Sequence, residues 1–113
     1  MRWYLRSKIH KATVTEANVS YIGSITIDVA LTKKVGLRAG ERVMVVSNTS
    51  GARLETYVIE GPANSGVICM NGACAHLIKK GEEIIVMGFE LSQRQVRPKS
   101  ILVDRRNAFQ RFL

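Results

Sequence analysis

The feature that most constrains this chain is how it is punctuated. Short β-branched runs follow one another, and a turn signal cuts off each within a few residues. Lys11-Ala12-Thr13-Val14-Thr15 and Ser24-Ile25-Thr26-Ile27-Asp28 alternate as half-buried strands do. Arg42–Ser47 and Arg53–Ile59 flank Asn48-Thr49-Ser50-Gly51, a strong turn. Val67-Ile68-Cys69-Met70 is an apolar run stopped by Asn71-Gly72. Glu83–Phe89 is the most apolar strand, and Ser100–Asp104 reads as the last one before a polar tail. Helix has room only at Val29–Val35, capped by Asp28 and ended by Gly36, and at a turn over Ala73–Ile78. About seven short strands with small helical insertions predict a mainly β domain, a closed or partly closed barrel.

The 113 residues suit one domain, 1–113, with a real but small core that oligomerisation would help. Apolar runs such as Ile84-Ile85-Val86-Met87 are far too short to span a bilayer, and the N-terminus lacks a signal peptide's long apolar stretch. The chain is therefore read as cytoplasmic, with no membrane partner.

A formal charge of +8 invites a nucleic-acid reading, so its distribution matters. Residues 17–93 carry seven basic and seven acidic side chains. The excess lies in residues 1–16 (Arg2, Arg6, Lys8 and Lys11 against Glu16) and in residues 94–113 (Arg94, Arg97, Lys99, Arg105, Arg106 and Arg111 against Asp104). A neutral body with few aromatics does not make the basic stripe of a nucleic-acid domain. A solvated, flexible basic tail over 94–113 is favoured. Cys69, Cys74, His10 and His76 match no zinc spacing, so no metal is expected. Cys74 and His76 lack an evident third group to orient a nucleophilic pair. Reduced, partly buried cysteines are expected.

Tyr21-Ile22-Gly23-Ser24 would be an ordinary turn if it stood alone. It stands with Ser7-Lys8-Ile9-His10, with Asn48-Thr49-Ser50-Gly51-Ala52-Arg53-Leu54-Glu55-Thr56-Tyr57, and with Gly66-Val67-Ile68-Cys69-Met70-Asn71-Gly72-Ala73-Cys74. In this order and spacing the chain resembles the pyruvoyl-dependent aspartate 1-decarboxylases, from about Ser7 to Phe89. The resemblance implies a double-psi β-barrel. It also implies self-cleavage at Gly23–Ser24 into a β chain, 1–23, and an α chain, 24–113, with a covalent pyruvoyl group formed from Ser24. Some members need an accessory maturation factor.

The chemistry explains the residue types. A hydroxyl one residue from the carbonyl it attacks supplies proximity without a second reactant. Gly23 is expected to free the backbone for a strained or positive φ. Thr56 matches the family's oxyanion donor and a substrate contact. The ketone then condenses with the amino group of L-aspartate and takes up electrons as carbon dioxide leaves. The resemblance implies β-alanine as the product, for pantothenate synthesis. Tyr57 matches the proton donor, and a phenol is protonated at neutral pH. A regular strand puts Thr56 and Tyr57 on opposite faces, so both reach one site only through a bend or an interface.

Arg53 matches the substrate-binding arginine, whose planar fork suits a carboxylate. Lys8 matches a lysine near the substrate. Asn71, Gly72, Ala73 and Cys74 match a loop whose small residues let backbone approach the ligand; Cys74 replaces the family's usual second alanine. His10 and Tyr21 match near the site with less defined roles. Val46 stands where some members have tryptophan. Family members are homotetramers with sites between subunits. The same chemistry on glutamate, and an unprocessed β-barrel binding an acidic or nucleic-acid partner, are the competing readings.

Overall fold

The computed structural model describes residues 1–113. Nine strands run β1 (Arg2–Thr13), β2 (Glu16–Asn18), β3 (Ser24–Asp28), β4 (Arg42–Ser47), β5 (Arg53–Gly61), β6 (Ile68–Asn71), β7 (Glu83–Ser92), β8 (Lys99–Val103) and β9 (Phe109–Phe112). Helix α1 (Val29–Val35) follows β3, and α2 (Cys74–Leu77) follows β6. The hydrogen-bonded order is β2-β6-β3-β5-β4-β7-β1-β8-β9. Pairings β3–β5, β2–β6 and β1–β8 are parallel and the others antiparallel. This mixed, crossed-over, mainly β architecture bears out the double-psi barrel reading.

Alternation sets the core. Ile25 and Ile27 on β3, Val43 and Val45 on β4, and Ile84 and Val86 on β7 are buried on one face. Each such side chain contributes about 1.5–3 kcal/mol by leaving water. Asp28 ends β3 and starts α1. Its buried carboxylate accepts from the backbone N–H of Ala30 at 2.8 Å, and of Asn64 and Gly66 at 2.9 Å. One residue therefore caps the helix and pins the loop before β6. Gly36 closes α1 at φ +77, the left-handed geometry expected of it.

Strand β1 is far longer than the Lys11–Thr15 run predicted. Its pairing with β7 slips between Leu5 and Ser7, and again between Ile9 and Ala12, where Lys11 has φ +63. Two bulges break the alternation that sequence reading needs.

The expectation of a flexible tail is corrected. Strand β8 pairs with β1 in parallel, and β9 adds to β8 at the sheet edge. Asn107, buried at φ +62, anchors the turn between them. It accepts from Thr13 N–H at 2.7 Å and donates to the carbonyls of Thr13 and Gly66, each at 2.8 Å. Lys34 lies 4.2 Å from the Phe109 ring centroid, a cation–π contact. The backbone is folded, while Arg94, Arg97, Arg105, Arg106 and Arg111 are exposed as expected.

Candidate active site

Strands β3 and β6 run antiparallel with Ser24 opposite Asn71 and Thr26 opposite Cys69. Their neighbours Ile25, Ile27, Ile68 and Met70 face the core, so these four polar side chains share the other face. Ser24 is wholly buried there. Its Oγ accepts from Asn71 Nδ2 at 2.8 Å and donates to the Ile22 carbonyl at 3.0 Å. Tyr21, Ile22 and Gly23 are exposed. The Gly23–Ser24 peptide bond thus sits where an exposed loop enters a buried strand.

Gly72 fixes that loop from below. It has φ +68, and a Cβ on it would lie 2.7 Å from Gly23 Cα and N and 2.8 Å from the Tyr21 carbonyl oxygen. Only glycine fits such an approach at that φ. Its N–H donates to the Asn18 carbonyl at 2.8 Å. The resemblance implied that these small residues let backbone approach a ligand; in the uncleaved chain what Gly72 approaches is the Gly23 backbone. The expectation for Gly23 itself is corrected. It does not lie at positive φ, and a Cβ there would meet nothing nearer than the Asn71 carbonyl oxygen at 4.0 Å.

The parallel register of β3 with β5 begins at Ile25 with Val58. Ser24 and Tyr57 are the residues immediately before that first pair on their adjacent strands, whose spacing is about 4.8 Å. Both point off the core face, and Tyr57 is 38% exposed. Thr56 lies on the same side of β5 as buried Val58. Thr56 and Tyr57 are thus on opposite faces, as the strand periodicity predicted. Ala73 is exposed and Cys74, the first residue of α2, is partly buried.

The cationic residues lie elsewhere. Arg53 is four residues from Tyr57 along β5, about 13 Å in an extended strand. Lys8, on β1, pairs with Met87, which pairs with Met44, which pairs with Glu55 on β5. Lys8 is therefore three strand spacings from β5, about 14 Å. His10 lies on the same outer face of β1. Its Nδ1 is buried without a partner, and burial, then the charges of Lys8 and Lys11, hold its pKa below the usual histidine value. Between Arg53 and His10 the face carries Val46 and Ile85, both half-buried. One chain therefore gathers Ser24, Tyr57, Asn71 and Gly72, and does not bring Lys8, His10 or Arg53 to them.

A cleft of about 520 Å³ opens on the same outer side, lined by Trp3, Glu41, Arg42, Val43, Met44, Glu55 and Phe89, and it holds none of the expected site residues. Two of its lining residues, Arg42 and Glu55, form an ion pair. Two polar residues beside Ser24 escaped the sequence reading, Thr26 and Cys69. Each is two residues from an expected one on its strand, but only the pairing register shows that they meet.

Known proteins settle the lineage. Residues 1–110 match the family model described as aspartate decarboxylase. The chain belongs to the aspartate decarboxylase family. It is 45% identical over 116 residues to an aspartate 1-decarboxylase of Bacillus velezensis, covering 99% of this chain and 91% of that protein. It is 50% identical over 107 residues to the enzyme of that name from Pelotomaculum thermopropionicum, covering 91% and 81%. With the Corynebacterium efficiens enzyme it shares 50% over 111 residues, covering 95% and 82%. No helix is long and apolar enough to cross a membrane.

Proposed function

We propose that this chain cleaves itself between Gly23 and Ser24 and then converts L-aspartate to β-alanine and carbon dioxide. The observation that carries the reading is the buried Ser24 hydroxyl, hydrogen-bonded by Asn71 and adjacent in sequence to the Gly23 carbonyl. Ser24 Oγ attacks that carbonyl carbon. The C–O bond forms, the Gly23–Ser24 C–N bond breaks, and the hydroxyl proton ends on the freed amine. Loss of the Ser24 α-proton then expels the Gly23 carboxylate, and one water replaces the amine as ammonia. Residue 24 becomes a pyruvoyl group, and residues 1–23 leave with a new carboxyl terminus.

The surroundings fit such a group. Asn71 Nδ2 already donates to the Ser24 side chain, and Gly72 leaves room for backbone alone beside it. A ketone at residue 24, once joined to the substrate amine, would supply an electron sink for departure of the α-carboxylate. Tyr57, on the strand paired with that of residue 24, delivers a proton to the former α-carbon. Arg53 and Lys8 hold the two carboxylates of the substrate. Thr56, next to Tyr57 on β5, donates to the oxyanion during cleavage. Ala73 and Cys74 border the substrate, with His10 and Tyr21 at the periphery.

Because Lys8 and Arg53 do not reach Ser24 within one chain, a second copy supplies them. The outer face supports this. Trp3, Tyr57, Ile59, Phe89 and Leu91 are between 38% and 69% exposed, and Met44, Val46, Ile85 and Met87 lie between them half-buried. A small barrel gains stability by covering such a patch. We read the working form as a homotetramer of such shared sites. The assay is carbon dioxide release by cleaved protein, with L-aspartate and L-glutamate compared. Turnover of aspartate supports the proposal, and no release from aspartate by fully cleaved protein overturns it.

A further inference from the structure

The cleavage proposed above depends on which end of the Asn71 amide faces Ser24, and the hydrogen bonds decide it. A serine hydroxyl has one hydrogen. Ser24 gives its hydrogen to the Ile22 carbonyl at 3.0 Å. The group 2.8 Å from its Oγ must then be a donor, so the nitrogen end of Asn71 faces Ser24. The same nitrogen gives its second hydrogen to Thr26 Oγ1 at 2.9 Å. Asn71 Oδ1 is therefore turned the other way, toward Cys69 Sγ at 3.0 Å.

Asn71 is 4% exposed and Cys69 3%. A buried carbonyl oxygen without a donor is costly, and the thiol hydrogen is the one within reach. The strand supplies the geometry, since residues 69 and 71 are two apart on β6 and point the same way. The thiol is a donor and not a nucleophile. Burial, then the nearby Glu16 carboxylate, push its pKa up to about 11, so it keeps its proton through the neutral range. Glu16 is a second acceptor for this hydrogen, but it is exposed and can be hydrated, whereas Oδ1 cannot.

We infer that Cys69 is a positioning residue for self-cleavage, its S–H holding the Asn71 amide so that both N–H groups face Ser24 and Thr26. The inference rests on the proposed cleavage at Gly23–Ser24. Without the thiol hydrogen this orientation leaves Oδ1 buried and unpaired, and a flipped amide removes the donor at Ser24 Oγ.

The test is the rate of fragment formation in full-length chains made by cell-free synthesis, quenched over time and weighed under denaturing conditions. Wild type is compared with Cys69→Ser, Cys69→Ala and Cys69→Val. Serine keeps a donor, alanine removes it, and valine removes it while filling the space. Cleavage by the alanine and valine variants is expected to slow about tenfold, with serine within about twofold of wild type. Rescue by serine separates positioning from packing, because serine fills no more of the thiol's space than alanine plus one oxygen. Where valine does not fold, the alanine and serine pair decides. Alanine cleaving at the wild-type rate overturns the inference alone, and so does serine slowed as much as alanine. Wild type that stays whole overturns the cleavage reading and this inference with it.

Discussion

Around Ser24, four polar side chains from β3 and β6 satisfy one another inside a single chain. Across the outer face of β1, β7, β4 and β5, Lys8, His10 and Arg53 stand apart with half-buried apolar side chains between them. The first region holds everything an intramolecular bond exchange needs: hydroxyl, carbonyl, amide donor and a glycine pressed against the scissile loop. The second has cations suited to a dicarboxylate, with Tyr57 at its margin, but no hydroxyl beside a scissile bond. The contrast assigns the two halves of the chemistry to different levels of organisation. On the proposed reading, cleavage belongs to the chain, and substrate binding belongs to the contact between chains.

The sharpest way to break this division is to separate its halves genetically. Ser24→Ala is expected to abolish cleavage and decarboxylation. Arg53→Ala is expected to cleave normally and lose most turnover. Co-expressed, the two variants should form mixed oligomers with measurable carbon dioxide release, because some sites then combine an intact Ser24 with an intact Arg53. Activity no greater than the two separate preparations would place Arg53 and Ser24 in the same chain's site.

Next in size, Tyr57→Phe should leave cleavage intact and slow turnover about a hundredfold or more, the usual contribution of a positioned general acid. Single-turnover kinetics on cleaved protein would show it, and near-normal turnover would take Tyr57 out of the donor role. Gly72→Ala tests the single-chain half. A methyl at φ +68, less than 3 Å from the Gly23 backbone, should cost about 1–3 kcal/mol of stability in denaturant unfolding and slow cleavage as well. An alanine variant as stable and as fast as wild type would mean the loop does not depend on that contact.

The smallest effect is on pH dependence. Glu82, buried, accepts from Ser47 Oγ at 2.6 Å and from Lys79 N–H at 2.7 Å, and these bonds hold its pKa below the usual carboxylate value. His10 is also held low, by burial and two lysines. Both groups bind protons more tightly in the unfolded chain, so acid favours unfolding. Stability should be full above the normal histidine range. It should fall first as pH drops through that range, and again through and below the carboxylate range. Thermal melts against pH check this, and Glu82→Gln should flatten the lower limb. That limb matters for the comparison because Ser47 also accepts from Thr49 and Ser50 N–H, which shapes the turn leading to Arg53.

Much of this is legible in the sequence. Strands β3 and β4 and helix α1 fall where alternation and caps placed them, because each is regular and bounded by its own signal, Asp28 and Gly36 most clearly. Strand β1 was not, since bulges at Arg6 and Lys11 break the alternation. Strand β9 was hidden too, because one buried asparagine, Asn107, ties it down, and a buried asparagine looks like any loop asparagine in sequence. At the site, motif resemblance pointed to Ser24, Tyr57 and Asn71. Thr26 and Cys69 were invisible because what makes them matter is register across β3 and β6, a long-range fact. The basic surplus divided similarly. Its C-terminal side chains are exposed as expected, but the backbone carrying them is part of the sheet.

The most direct test of the central claim is the mass of the purified chain under denaturing conditions. The account predicts two species, residues 1–23 with a free carboxyl terminus and residues 24–113 blocked by a pyruvoyl group. Together they equal the intact chain plus one water less one ammonia. Dilution should leave the rate of their appearance unchanged, as a reaction within one chain requires. A single uncleaved chain after prolonged incubation, alone and with cell extract to supply any maturation factor, would contradict it.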